Sequence, residues 1–96
     1  MRYKIRATDF FLSQIRKLDK RSKKIIKNKI ELIKINPYRY KRIHSKKFSK
    51  IFRVRLNLKG KEIRLVYAII KNLIILICLL ERRREYKDLE KYLKKI

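Results

Sequence analysis

The residues best equipped for chemistry are three arginines, Arg53, Arg55 and Arg64, in the segment FRVRLNLKGKEIRLVYAII. This segment alternates apolar and polar residues on both sides of Lys59-Gly60, the pattern of two strands joined by a tight turn. Gly60 is the single glycine of the chain and stands where a hairpin needs positive φ. Centring the hairpin there sets Val54 against Leu65 and Leu56 against Ile63 on an apolar face, the register that burial selects. On the opposite face the same register puts Arg55 directly across from Arg64, with Arg53 two residues along. Like charges opposite one another destabilise a sheet. An anion held between them would compensate, and the guanidinium fork matches phosphate through two parallel hydrogen bonds. The competing explanation is compositional, because a chain this rich in Lys and Arg places like charges opposite each other by chance.

Ahead of the hairpin, Tyr38 to Lys50 reads YRYKRIHSKKFSK, with Arg39, Lys41, Arg42, Lys46, Lys47 and Lys50 and no acid. It reads as a basic loop suited to binding RNA. Tyr38 and Tyr40 beside these charges suit stacking on the bases of single-stranded RNA, or else pack beneath the loop. His44, the only histidine, has the natural pKa of an acid-base residue, but its loop position serves equally for a phosphate contact or a solvated side chain. Cys78 is the only cysteine, so neither an internal disulfide nor a cysteine-built metal site is available, and it reads as a small core residue. No Asp, His and Glu cluster has ligand spacing, and neither a metal nor another cofactor is expected.

Several elements must position these groups. Tyr3, Ile5 and Ala7 alternate with Arg2, Lys4 and Arg6 as a short strand with one buried face. Thr8 and Asp9 offer an N-cap to a helix carrying Phe11, Ile15 and Leu18. After a polar break over Asp19 to Ser22, a second helix turns Ile26, Ile30 and Ile33 inward, flanked by Ile25 and Leu32, and Asn36-Pro37 stops it. Past the hairpin, Lys71-Asn72 breaks the chain before LIILICLL, apolar on both faces like a doubly buried strand. Centring a second hairpin on that break places Arg64 on the face of Val66, Ala68, Leu73, Ile75, Ile77 and Leu79, and Cys78 on the face of Leu65 and Tyr67. Such a face, basic at one end and greasy at the other, needs a cover from a closing helix or from an acidic partner. Tyr86, Leu89, Leu93 and Ile96 form the apolar stripe of that helix, with Glu81, Glu85, Asp88 and Glu90 gathered near its positive end. The predicted fold is α+β, a small antiparallel-dominated sheet packed on an N-terminal helical hairpin, in the order β-α-α-β-β-β-α.

The composition bounds the rest. Ninety-six residues with 31 Lys+Arg, 8 Asp+Glu and a net charge of +23 are still 46% hydrophobic, which predicts one domain over 1-96 with a real core. One Gly and one Pro exclude collagen-like and Gly/Pro-rich chains, and there is no internal repeat. The N-terminal MRYKIRATDFF lacks an apolar signal core, and the run Leu73 to Leu80 is far too short to span a membrane. A cytoplasmic protein is therefore expected. Charge of this density, once clustered, selects a polyanion or an acidic protein as partner.

In motif order the chain resembles the RelE/ParE toxin superfamily, and its RelE-like branch in particular, along essentially its whole length. The resemblance lies in the initial strand, the helical hairpin closed by Asn36-Pro37, the runs FRVRL and IRLVY, and a late arginine cluster ahead of a tyrosine in ERRREY. It implies a cytoplasmic toxin of a type II toxin-antitoxin system, held by a cognate acidic antitoxin. Such a toxin enters the ribosomal A site and cleaves mRNA without a metal. By position, Arg53 and Arg55 match the family's basic pair, Arg64 its third-strand arginine, Arg82 or Arg83 its late arginine, and Tyr86 its late tyrosine, although Tyr86 also begins the apolar stripe. Where some members carry lysines in the second strand this chain has arginines, which do not deprotonate and so stabilise charge rather than accept a proton. Attack by an RNA 2′-hydroxyl also requires a proton acceptor and a proton donor. The candidates are Glu81, Glu85, Tyr86, His44 and the ribosome or RNA itself. Two other readings are a ParE-like inhibitor of DNA gyrase without nuclease chemistry, whose members usually lack the basic strand pair and third-strand arginine, and a non-catalytic RNA-binding module.

Overall fold

The computed structural model describes residues 3–44 and 49–81. Strand β1 (Lys4–Ala7) leads into helices α1 (Asp9–Arg16) and α2 (Lys20–Ile35), and strands β2 (Lys41–Ile43), β3 (Ile51–Leu58), β4 (Lys61–Ile70) and β5 (Leu73–Leu80) follow. The strands form one sheet in the order β1-β5-β4-β3-β2. β1 runs parallel to β5, and the other described pairs are antiparallel. This is the predicted α+β architecture with a helical hairpin on one face. The stripe expected to form the closing helix lies outside the described residues.

Local chemistry sets the helix starts. Thr8 is extended (φ −71, ψ 157), and its Oγ1 accepts from the Phe11 amide at 3.0 Å while donating to the Ile77 carbonyl at 2.7 Å. One hydroxyl thus caps α1 and ties it to β5. Gln14 continues along the same edge, its Nε2 donating to the Leu79 carbonyl at 2.9 Å and its Oε1 accepting from the Leu79 amide at 2.7 Å. Side chains of α1 therefore satisfy the stretch of β5 that β1, ending at Ala7, leaves open. Asp19 caps α2 by accepting from the Ser22 amide at 3.2 Å, so the helix begins sooner than the polar run Asp19 to Ser22 suggests. Hydrogen bonding from Ser22 holds the Asp19 carboxyl below its usual range.

At the far end of α2, Asn36 closes the helix and the buried Pro37 presents its carbonyl to the Tyr67 hydroxyl at 2.5 Å. Tyr67 stacks on Phe52 at 5.6 Å, and Phe52 meets Tyr38 edge-on at 5.7 Å. This column of rings couples the helix exit to the central strand. Phe11, Ile26 and Ile33 complete the core on that face with Leu65, Ile74 and Leu76. A second buried cluster, including Ile51, Val66, Ala68 and Ile77, occupies the opposite face, with Phe10, Ile43 and Ile75 packed against it.

Two features depart from the sequence reading. Part of the basic loop is a strand: Lys41, Arg42 and Ile43 pair with Arg53, Phe52 and Ile51. A three-residue edge strand with one apolar side chain is too short to show alternation. Secondly, the β4–β5 ladder shifts register between Val66 and Tyr67, where Tyr67 pairs with Leu76 but Val66 pairs with Cys78. The bulge moves Leu79 opposite Leu65 in the helix-facing core, and brings Cys78 and Leu80 to the face of Arg64. LIILICLL is apolar on both faces, so burial does not choose its register. The hydrogen bonds of Thr8 and Gln14 to Ile77 and Leu79 fix it instead.

Candidate nucleic-acid interface

The first hairpin has the predicted register, with Val54 opposite Leu65, Leu56 opposite Ile63 and Arg55 opposite Arg64. Its turn has positive φ at both Lys59 (52°) and Gly60 (79°), and Asn57 Oδ1 accepts from the Gly60 amide at 2.9 Å. That turn fixes which side chains share a face. Arg53, Arg55 and Arg64 lie on the face away from the helical hairpin, and Arg53 stands opposite Lys41 of β2. The short strand thus creates a second like-charge pair beside the first.

The two arginines of the facing pair differ in burial. Arg55 is open to solvent with its side chain 60% exposed, whereas Arg64 on the central strand is 10% exposed beside Val66 and Leu80. Glu62 joins them, with Oε1 3.4 Å from Arg55 Nε and Oε2 3.5 Å from Arg64 Nη2. The sequence reading missed this carboxylate. Its signal was present in the register, because Glu62 falls opposite Asn57 on the same face, two residues before Arg64.

Where β2 begins, a cleft of about 300 Å³ is lined by Arg39, Tyr40, Lys41, Arg53, Val54 and Arg55. It brings two predicted strand arginines together with three predicted RNA-binding residues. Four cationic side chains converge there, and no acid is among the described residues that line it. Arg64 sits one strand inward of the lining.

The remaining loop residues divide. Arg42 turns back to the Ser49 carbonyl through Nε at 2.9 Å and through Nη2. Lys50 lies over the Tyr38 ring at 5.6 Å with its Nζ 3.4 Å from the hydroxyl, and Tyr38 also packs on Phe52. Tyr40 is half-buried against the helix-facing core as well as lining the cleft. His44 is exposed, and Glu81 is paired with Lys61 at 3.2 Å. Lys46, Lys47, Arg82, Arg83, Glu85 and Tyr86 lie outside the described residues. Among the described residues no group of three or more His, Cys, Asp or Glu is arranged to hold a metal, and no helix is long and apolar enough to cross a membrane.

The architecture has counterparts among solved structures. The free Escherichia coli toxin RelE carrying two arginine-to-alanine substitutions is similar over 100% of this chain and 99% of its own, with a TM-score of 0.72 and 21% identity. The RelBE2 toxin-antitoxin complex of Mycobacterium tuberculosis is similar over 85% of this chain and 100% of its own (TM-score 0.66, 18% identity). The archaeal RelE-RelB complex of Pyrococcus horikoshii is similar over 88% of this chain and 99% of its own (TM-score 0.62, 16% identity). No protein-family model matches the sequence, and no curated protein matches it. The chain has the RelE fold.

Proposed function

We propose that this protein is the toxin of a type II toxin-antitoxin system and acts as a ribosome-dependent, metal-independent mRNA endonuclease in the cytoplasm. The observation that carries the reading is the convergence of Arg53 and Arg55 with Arg39, Tyr40 and Lys41 on one cleft, with Arg64 immediately behind Arg55. In RNA cleavage by the neighbouring 2′-hydroxyl, that oxygen attacks phosphorus, charge builds on the non-bridging oxygens of a five-coordinate phosphorane, and the 5′-oxygen leaves. Arg53 and Arg55 donate to those oxygens from the cleft wall. Arg64, in apolar surroundings that strengthen its field, holds the charge from behind. Arg39, Lys41 and Tyr40 position the strand, joined by the wider basic segment that includes Lys46, Lys47 and Lys50 and by the late residues Arg82, Arg83 and Tyr86.

None of the arginines accepts the 2′-hydroxyl proton. Accepting that proton, and supplying one to the leaving 5′-oxygen, fall to His44, Glu81, Glu85, Tyr86, or groups of the ribosome or RNA. An acidic antitoxin completes the assignment. The net charge of +23 calls for an acidic cover, and the similar folds from M. tuberculosis and P. horikoshii are each recorded in complex with an antitoxin or RelB chain. The test is a reconstituted translation system with the protein added and mRNA cut sites mapped. Cuts at codons in the ribosomal A site support the assignment, whereas intact mRNA with translation proceeding refutes it.

A further inference from the structure

Glu62 is the one acid on the arginine face of the β3–β4 hairpin, and its two oxygens are divided between two cations rather than given to one. Oε1 faces Arg55 at 3.4 Å and Oε2 faces Arg64 at 3.5 Å, each longer than the roughly 2.7–2.9 Å of a tight charge-assisted hydrogen bond. The carboxylate is 51% exposed. Carboxylate and phosphate are alternative ligands for the same guanidinium fork. Loose contact and open access make Glu62 readily exchangeable for an incoming anion. Its position on β4, anchored by backbone pairing to Asn57, keeps it beside the arginine pair even when it lets go.

We infer that Glu62 is a positioning residue that stands in for the substrate phosphate: in the empty protein its carboxylate holds Arg55 and Arg64 side by side, and an RNA phosphodiester takes its place on binding. This rests on the reading of the arginine face as an RNA phosphate site. The exchange explains how two facing arginines, one nearly buried, persist in a stable sheet before any RNA arrives. It also limits the site to anions that outbid a carboxylate already in place, which is selection for a polyanion over small carboxylates.

The test compares wild type with Glu62→Gln, which keeps shape and removes charge, and Glu62→Asp, which keeps charge. The probe is a single-stranded RNA oligonucleotide bearing 2′-methoxy groups, which binds but cannot be cut. Glu62→Gln should bind it about 3- to 5-fold more tightly, the worth of one exposed ion pair no longer in competition. Its log-log salt slope should steepen by up to about 0.7, because no displaced carboxylate then takes up a cation against those the phosphate releases. Its melting temperature should fall in dilute buffer and recover with added inorganic phosphate by more than wild type does. In cleavage, KM should drop without a rise in kcat, and Glu62→Asp should restore the wild-type pattern. Unchanged or weaker oligonucleotide binding by Glu62→Gln, with Arg55→Gln and Arg64→Met both weakening it, overturns the exchange and leaves the phosphate site intact. If Arg55→Gln and Arg64→Met leave binding untouched, the phosphate site itself fails, and the exchange with it.

Discussion

Arg55 stands directly opposite Arg64 across the β3–β4 ladder, and the two differ sixfold in side-chain exposure, 60% against 10%. A pair of this kind is poor for sheet stability and good for an anion that meets the open arginine first and the shielded one behind it.

Binding should be strongly salt-dependent. If Arg39, Lys41, Arg53 and Arg55 meet phosphates, the log-log slope of RNA affinity against salt should rise by roughly 0.7 for each phosphate neutralised on a single strand. Titrations over a range of salt measure it, and a nearly flat slope removes nucleic acid from the account.

Tyr67→Phe removes the hydroxyl that donates to Pro37 and leaves a buried carbonyl unsatisfied, at a cost of about 1–3 kcal/mol. Burial also raises the Tyr67 pKa well above its ordinary value of 10.0. The folded state therefore keeps a proton that the unfolded chain gives up above about pH 10, and this contribution to stability, complete below that pH, declines as pH rises further. Denaturant melts at neutral and alkaline pH should show wild type losing its advantage over Tyr67→Phe on the alkaline side.

Lys59 adopts positive φ in the hairpin turn, where asparagine is better tolerated. Its ion pair with Asp19, at 3.9 Å and exposed, contributes little. Lys59→Asn should raise stability, read as a higher denaturation midpoint with an unchanged slope. A lower midpoint would show that the turn is held by something other than its backbone preference.

Gln14→Ala leaves the Leu79 amide and carbonyl without their side-chain partners and should cost about 1–3 kcal/mol. Amide hydrogen exchange should accelerate at Leu79 before it does at Leu65. Uniform acceleration would argue that Gln14 acts on global stability rather than on the edge of β5.

Much of this was legible in the sequence, and the reasons are local. Gly60 and the alternation around it fixed the first hairpin to the residue, because only one register buries Val54, Leu56, Ile63 and Leu65 together. Thr8, Asn36 and Pro37 marked helix boundaries through capping chemistry that acts within four residues. What escaped prediction depends on distant partners. The bulge beside Tyr67 answers to the hydrogen bonds that Thr8 and Gln14 make to Ile77 and Leu79, partners more than sixty residues apart in sequence, and β2 exists only because Ile51 to Arg53 lie beside it. Glu62 is a single acid among many cations, and its bridge between Arg55 and Arg64 depends on side-chain positions that the ladder register alone does not give.

The most direct test of the central claim is single-turnover mRNA cleavage on ribosomes by Arg64→Met, measured beside its thermal melt. Methionine removes both the buried charge and the repulsion from Arg55 while filling much of the same space next to Val66 and Leu80. Arg39→Ala serves as the comparison, weakening binding with little effect on cleavage at saturation. Arg64→Met should melt at or above the wild-type temperature and cleave on the order of 100-fold more slowly, the loss typical of one transition-state donor. A folded Arg64→Met protein that cleaves at the wild-type rate would contradict the claim.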